Sequence, residues 1–126
     1  MKFSASLKQF NEDALAEADR LYRATNIELF NSVIRDTPVD TGRARGNWQT
    51  TVGTPAQSSS LRLDRSGAEA QAEVIQNVSG LDKVNYLINN LPYIQPLEYG
   101  HSKQAPAGMV RRNVLRIKSI IRRIIR

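Results

Sequence analysis

Few side chains in this sequence have a spacing that suggests chemistry. His101, the only histidine, lies three residues after Glu98, and such a pair could supply two ligands to a metal ion. Metal sites normally use three or four protein ligands, and no third lies nearby, so we interpret His101 as a polar loop residue.

Asp36 and Asp40 bracket Pro38. Paired carboxylates can perform acid–base catalysis, but here they suit turn and capping positions.

The other arrangements that could support catalysis are incomplete. Gly42 and Gly46 flank two arginines, but a Walker-type phosphate loop requires Lys-Ser or Lys-Thr after its last glycine. The sequence has no cysteine, which excludes disulfides, thiolate metal sites and cysteine nucleophiles and fits a reducing compartment. We therefore predict that the protein is not an enzyme and uses no metal, cofactor or small-molecule substrate.

Positive charge is concentrated at the C-terminal end. Residues 99–126 carry eight Lys or Arg and no Asp or Glu, whereas residues 1–98 carry ten basic and twelve acidic residues. The net charge of +6 therefore combines a slightly acidic body with a strongly cationic end. Such a block of charge is expected to meet a polyanion or an acidic protein neighbour.

The periodicity of residues 110–126 predicts one final amphipathic helix. At 100° per residue, the Val and Ile side chains fall within one arc and the cations fall opposite. Three interpretations are open: a solvated face, a contact with nucleic acid or an acidic protein, and a membrane-surface helix, which lacks the usual aromatic anchors. No apolar run approaches the ~20 residues that span a bilayer, and we predict no membrane association. The candidate contact residues are Arg111, Arg112, Arg116, Lys118, Arg122, Arg123 and Arg126.

The length predicts a single domain, residues 1–126, that begins with a long helix. Apolar residues from Leu7 to Ile34 recur at helical spacing, and Pro38 ends the pattern near residue 36. A helix of this length spans roughly 45 Å, which exceeds what a small core requires. We therefore expect either a break near Thr25 and Asn26 or packing of its ends on something outside the chain.

Residues 37–100 are predicted to form a small antiparallel sheet, which makes the fold class α+β. Residues 47–52, with Trp48 as a core anchor, and residues 68–78 alternate as strands. Between them a Ser/Thr/Pro/Gly-rich segment predicts a long hairpin loop, mobile over residues 54–67. Residues 84–89 are a shorter strand candidate. A short helix over 93–99, ended by Gly100, precedes residues 101–126, a loop and the basic final helix.

Two blocks of sequence carry a resemblance to a known family. The first, Thr37-Pro38-Val39-Asp40-Thr41-Gly42-Arg43-Ala44-Arg45 with Asn47-Trp48, fits the pattern P-V-D-T-G-x-x-R. The second runs from Asn89 to Val110 and contains Tyr93-Ile94-Gln95-Pro96-Leu97-Glu98-Tyr99-Gly100 before a Pro/Gly segment. Together they resemble the neck and tail-completion proteins of tailed bacteriophages. The shared positions are Pro38, Asp40, Thr41, Gly42, Arg45, Tyr93, Leu97, Glu98 and Gly100.

The resemblance implies a structural virion subunit at the head–tail junction, made in the host cytoplasm and acting by protein binding. Its expected partners are copies of itself or other neck and tail proteins in a ring, with possible contact to genomic DNA in the channel. The alternative is an independent DNA-binding protein that uses the basic helix, although helix-turn-helix spacing is lacking.

The shared positions are expected mainly to specify the fold. We expect Asp40 and Thr41 to set a turn, with Gly42 at positive φ. Tyr93, Leu97 and Tyr99 should pack a short helix on the sheet. Glu98 should pair with Arg43 or Arg45 if the two blocks meet.

Overall fold

The computed structural model describes residues 2–126 and confirms the α+β class. This part of the chain contains six helices and two strands. In chain order they are α1 (Lys2–Asp36), α2 (Arg43–Gly46), β1 (Trp48–Val52), α3 (Ala68–Asn77), β2 (Asn85–Asn89), α4 (Ile94–Glu98), α5 (Val110–Leu115) and α6 (Ile117–Ile125). Helices α3, α5 and α6 all pack against α1.

The long helix α1 runs from Lys2 to Asp36 without a break at Thr25 or Asn26. Only its C-terminal half is packed: residues 4–18 are all exposed, and burial becomes regular from Phe30 onward. Thr37 ends the helix by donating its hydroxyl to a backbone carbonyl one turn earlier, at 2.7 Å. The predicted break is therefore not observed, and packing of the exposed end on something outside the chain stays a prediction. None of the described helices is long and apolar enough to cross a membrane.

The sheet has two antiparallel strands, but not the pair expected from the sequence. β1 pairs with β2, with Trp48 opposite Asn89 and Val52 opposite Asn85. The predicted strand over residues 68–78 is wrong, because this segment forms helix α3. Its buried apolar residues, Ala70, Val74 and Val78, recur every four positions, a spacing that fits one face of a strand and one face of a helix equally. The two paired strands are therefore connected by segment 53–67 and helix α3, and do not form the predicted hairpin.

The core lies between the C-terminal half of α1, helix α3 and the sheet. Trp48 is 5% exposed, as the sequence predicts, and sits among apolar side chains from all three. Met109, at the entrance to α5, is fully buried and closes the core from the C-terminal side. The buried cluster comprises Phe30, Val33, Ile34, Trp48, Ala70, Val74, Val78, Ala105 and Met109.

Segment 54–67 has no regular secondary structure, but its second half is tied to the body. The Arg62 guanidinium donates to the carbonyls of Gly46 and Trp48, at 2.8 and 2.7 Å, and to the Glu73 carboxylate at 3.1 Å. The buried Asp64 accepts a hydrogen bond from a backbone N–H in the first turn of α3 at 2.9 Å. The first half is held as well, since Asn90 donates to the carbonyls of Ala56 and Ser58 at 3.0 and 3.2 Å. Mobility of this segment remains a prediction.

Candidate interaction surface

The two sequence blocks that carry the resemblance meet in space. A shallow cleft of about 260 Å³ lies between residues 38–44 of the first block and Tyr93 and Leu97 of the second. Gln104 ties the blocks together: its amide oxygen accepts from the Val39 N–H at 2.9 Å and its amide nitrogen donates to the Val39 carbonyl at 3.1 Å. The Asn89 amide adds a third bond by donating to the Ala44 carbonyl at 2.9 Å.

The turn of the first block requires its glycine. Gly42 has φ +91°, and a Cβ placed there would lie 2.6 Å from the backbone nitrogen of Arg65. The Gly42 carbonyl also accepts the Asp64 N–H at 3.0 Å, which pins the returning segment against the turn. Thr41 accepts the N–H of Arg43 at 3.3 Å, as expected of a turn residue. Pro38 is buried beneath the turn, whereas Asp40 is exposed.

Arg45 has a structural role at the end of α1. Its guanidinium donates to three backbone carbonyls, those of Arg35 at 2.7 Å, Arg65 at 2.7 Å and Thr37 at 2.9 Å. The last carbonyls of a helix lack partners within the helix and carry partial negative charge. A planar cation with several donors satisfies them together. Arg45 is therefore engaged with the fold and is not an external contact.

The second block is only partly packed on the sheet. Leu97 is half-buried against the core, as predicted, and Gly100 ends α4 at φ +88°. The expected packing of the two tyrosines is wrong, because Tyr93 and Tyr99 are 39% and 66% exposed. Helix α4 has only five residues and packs one side on the core. The two tyrosines flank its ends, where they are exposed to solvent. The Tyr99 ring stacks under the Arg111 guanidinium at 4.8 Å.

The predicted pairing of Glu98 with Arg43 or Arg45 is wrong. Glu98 instead caps the start of α5. Its carboxylate accepts the backbone N–H groups of Met109, Val110 and Arg111 at 2.9, 2.8 and 3.0 Å. The Arg111 guanidinium adds a bond at 2.9 Å and also donates to the Glu98 carbonyl.

The charge of Glu98 is stabilised by these donors. Burial alone would raise the pKa of Glu98, but the three backbone N–H groups and the Arg111 side chain outweigh it, so the pKa lies below its ordinary value. Residues 99–108 loop back to reach Glu98 because Gly100 and Gly108 adopt positive φ. The second block therefore anchors the C-terminal helices.

The predicted face of seven cations divides into two groups. Arg111, Arg116 and Arg123 pair with acids of the body: Arg111 with Glu98, Arg116 with Asp36 at 4.0 Å and Arg123 with Glu28 at 3.1 Å. The other four are exposed and make no ion pair with any described residue. They are Arg112, Lys118, Arg122 and Arg126. We call these four residues the cationic ridge.

The final helix is also less regular than predicted, because it breaks at Arg116 into α5 and α6. Of the predicted apolar arc only Ile120 is buried, while Val110 and Val114 are 37% and 49% exposed. The side toward α1 also contains Asn113, whose amide nitrogen donates to Asp36 at 2.9 Å and to a backbone carbonyl one turn earlier. The helices are therefore rotated so that part of their apolar arc remains open.

The described residues contain no group of three or more His, Cys, Asp or Glu that could hold a metal ion. His101 is exposed beside the loop that leads to α5. No protein-family model, curated protein or solved structure matches the chain.

Proposed function

We propose that this protein is a structural subunit that acts by binding other proteins. More specifically, we propose a neck or tail-completion protein of a tailed bacteriophage, located in the virion at the head–tail junction. The observation that carries this proposal is the convergence of the two resembling blocks on one cleft, with their polar residues engaged in holding backbone. Gly42 allows the close approach of two backbone segments, and Arg45 and Glu98 hold backbone carbonyl and N–H groups. These roles are expected of motif residues that specify a fold.

The exposed cationic ridge supports the same proposal. Glu98, Asp36 and Glu28 fix α5 and α6 to the body, so the ridge is presented along two positioned helices. A positioned set of like charges attracts an acidic partner, raises the rate of encounter and makes association sensitive to salt. Acidic surfaces of neighbouring ring proteins are the partners that the proposed function requires.

The experiment uses the phage or prophage whose genome encodes this chain. Particles are purified and the chain is sought by mass spectrometry, and a deletion of its gene is complemented by variants. Replacing Arg112, Lys118 and Arg122 with Gln should leave the fold intact, since exposed charges contribute little to stability. It should reduce the yield of joined particles most at low salt, and the difference from wild type should shrink as salt is raised, because salt screens the attraction that the ridge supplies.

The matched control replaces three exposed cations elsewhere by Gln, namely Arg65, Lys83 and Lys103. It changes the net charge equally and should complement normally. Absence of the chain from infectious particles would contradict the proposal. If the chain is absent from particles and the purified protein instead binds duplex DNA through the ridge, with a salt slope near 0.9 per neutralised phosphate, the DNA-binding alternative replaces it.

A further inference from the structure

The N-terminal part of α1 is an unpartnered helical arm. Residues 4–17, which we call the arm, are all exposed and extend about 21 Å at 1.5 Å per residue. Leu7, Phe10 and Leu15 are 48%, 68% and 65% exposed. The arm continues a longer helix whose C-terminal half is packed on the body, and its own apolar side chains are left uncovered. Adjacent large apolar side chains on one exposed helix are typical of a surface that binds a partner.

A groove that could accept such a helix lies on the same protein. It separates α1 from α6 and has a volume of about 400 Å³. The α6 wall is formed by Ile117 and Ile121, and both are only half-buried. The groove is lined chiefly by Ala18, Leu21, Tyr22, Leu29, Ile117 and Ile121.

The arm cannot occupy the groove of its own chain. Leu7, Phe10 and Ala14 share one face of α1 with Ala18 and Leu21, at spacings of three and four residues. We call this row of apolar residues the stripe. On the arm, the stripe continues in a straight line from the α1 wall of the groove. Because α1 is one unbroken helix, its arm points away from the groove. The occupant must come from another molecule.

The charges beside the two surfaces are opposite. Asp13 and Glu17 each precede a stripe residue by one position, so both lie on one flank of the arm. Both are exposed; within the single chain Glu17 pairs with Arg20 at 2.5 Å and Asp13 accepts the side-chain amide N–H of Gln9 at 2.9 Å, so docking exchanges these partners for the cations of the rim. Lys118 and Arg122 each follow a groove isoleucine by one position, so both lie on the exposed rim of α6. An apolar stripe with an acidic flank matches an apolar groove with a basic rim, and such complementarity fixes partner and register.

We propose that the arm of one copy docks in the α1–α6 groove of a second copy. The proposal deepens the proposed function, on which it rests, by naming the surfaces through which copies join. The orientation of the arm decides the assembly. If the arm lies antiparallel to α1 of the second copy, each arm occupies the groove of the other copy and the two form a closed dimer. If it lies parallel, each pair keeps one free arm and one free groove, so further copies add to form a ring or a filament.

The first test measures self-association of the purified full-length protein by sedimentation equilibrium over a range of concentrations. Wild type should form a dimer or a larger assembly. Leu7→Ser with Phe10→Ser should raise the dissociation constant at least about tenfold, because large apolar side chains dominate interface energetics. The matched control, Leu61→Ser with Leu63→Ser, removes two leucines that are 96% and 62% exposed outside the groove. It should associate as wild type.

The second test exchanges the charges. Lys118→Glu with Arg122→Glu should weaken association at least about tenfold, and Asp13→Lys with Glu17→Lys should do the same. All four changes in one chain should restore association, a result that a general loss of structure cannot produce. Melting of each variant at a concentration where it is monomeric should match that of wild type.

A wild-type protein that is monomeric at every concentration overturns the proposal. So does association that resists both the arm and the rim variants, or a fourfold variant no better than its parents. These outcomes are separate from failure of the proposed function, which is read from the content of purified particles. A chain that self-associates through arm and groove but is absent from virions would retain this interface and lose only the phage role.

Discussion

The indole N–H of Trp48 donates to the hydroxyl oxygen of Thr37 at 2.8 Å, and that hydroxyl donates in turn to the carbonyl of Val33 at 2.7 Å. Trp48 is the first residue of β1, while Thr37 and Val33 lie at the end of α1. Two buried side chains thus fix the angle between the long helix and the sheet. Because both polar groups are satisfied, the core accepts them without the penalty of an unpaired buried donor.

Substitutions of Trp48 should separate packing from hydrogen bonding. Trp48→Ala removes the largest core side chain and should cost ~3–5 kcal/mol of unfolding free energy. Trp48→Phe keeps most of the apolar volume and loses the N–H, so it should cost roughly 1–2 kcal/mol. Urea denaturation monitored by circular dichroism measures both. An unchanged midpoint for Trp48→Ala would mean that the indole lies outside the core.

Glu98→Gln should destabilise the protein in a pH-dependent manner. The pKa of Glu98 is lowered from its ordinary value of 4.5 by the N–H groups it accepts at the start of α5. A carboxylate with a lowered folded pKa contributes stability above the unfolded pKa and loses it as pH falls through the folded pKa. The difference in unfolding free energy between wild type and Glu98→Gln should therefore be about 0.5–2 kcal/mol at pH 7 and shrink below pH ~4.5.

The control for this experiment is Asp40→Asn. Asp40 belongs to the other block and is exposed, so its substitution should leave the denaturation midpoint at pH 7 unchanged. A difference between wild type and Glu98→Gln that grows on acidification would contradict the capping role.

Gly42→Ala tests the close approach of the returning segment to the turn. Gly42 and Gly53 both have positive φ, +91° and +84°, but a Cβ at Gly42 would meet backbone whereas one at Gly53 meets nothing within 4 Å. Gly53→Ala should therefore cost only the conformational penalty, ~1–2 kcal/mol. Gly42→Ala should cost clearly more in the same urea titration. Equal midpoints for the two variants would show that the segment 62–65 moves aside freely.

Limited proteolysis tests the mobility expected for segment 54–67. A protease of broad specificity should cut first within residues 54–63, where apolar contacts are few. Arg62→Gln removes contacts to Gly46, Trp48 and Glu73 and should accelerate cleavage, because less free energy opposes opening. Arg65→Gln removes an exposed charge from the same segment and should not. First cuts confined to residues 19–35 would contradict the assignment.

Sequence patterns predicted the long helix, β1, β2, the short helix and the buried tryptophan, because each has an unambiguous period or a terminating proline or glycine. The segment of helix α3 is predicted as a strand because Ala70, Val74 and Val78 fit both periods. Only Ala72 distinguishes them: a strand would bury it with the others, and the structure exposes it. The Glu and Gln residues of this segment favour a helix and were a usable signal.

The partners of the charged residues could not be predicted in the same way. Glu98 was assigned to Arg43 or Arg45, but Gly100 and Gly108 turn the chain so that Glu98 meets the start of α5 instead. The sequence predicts that all seven cations of the final helix are available to a partner. Three of them instead form ion pairs with Glu98, Asp36 and Glu28 of the same chain. A helical wheel gives the angle between residues on one helix. It contains no information on which acid of another helix stands opposite.

The packing of α1 against the last helices has a consequence for the timing of synthesis. Asp36 contacts Asn113 across 77 residues, and Glu28 contacts Arg123 across 95. Helix α1 thus leaves the ribosome well before these partners, which lie 77 and 95 residues further along the chain, and non-local contacts of this kind slow folding. Until then its apolar face stays open to other nascent chains. Premature termination before residue 109 would leave the buried cluster without Met109, and such products are expected to aggregate.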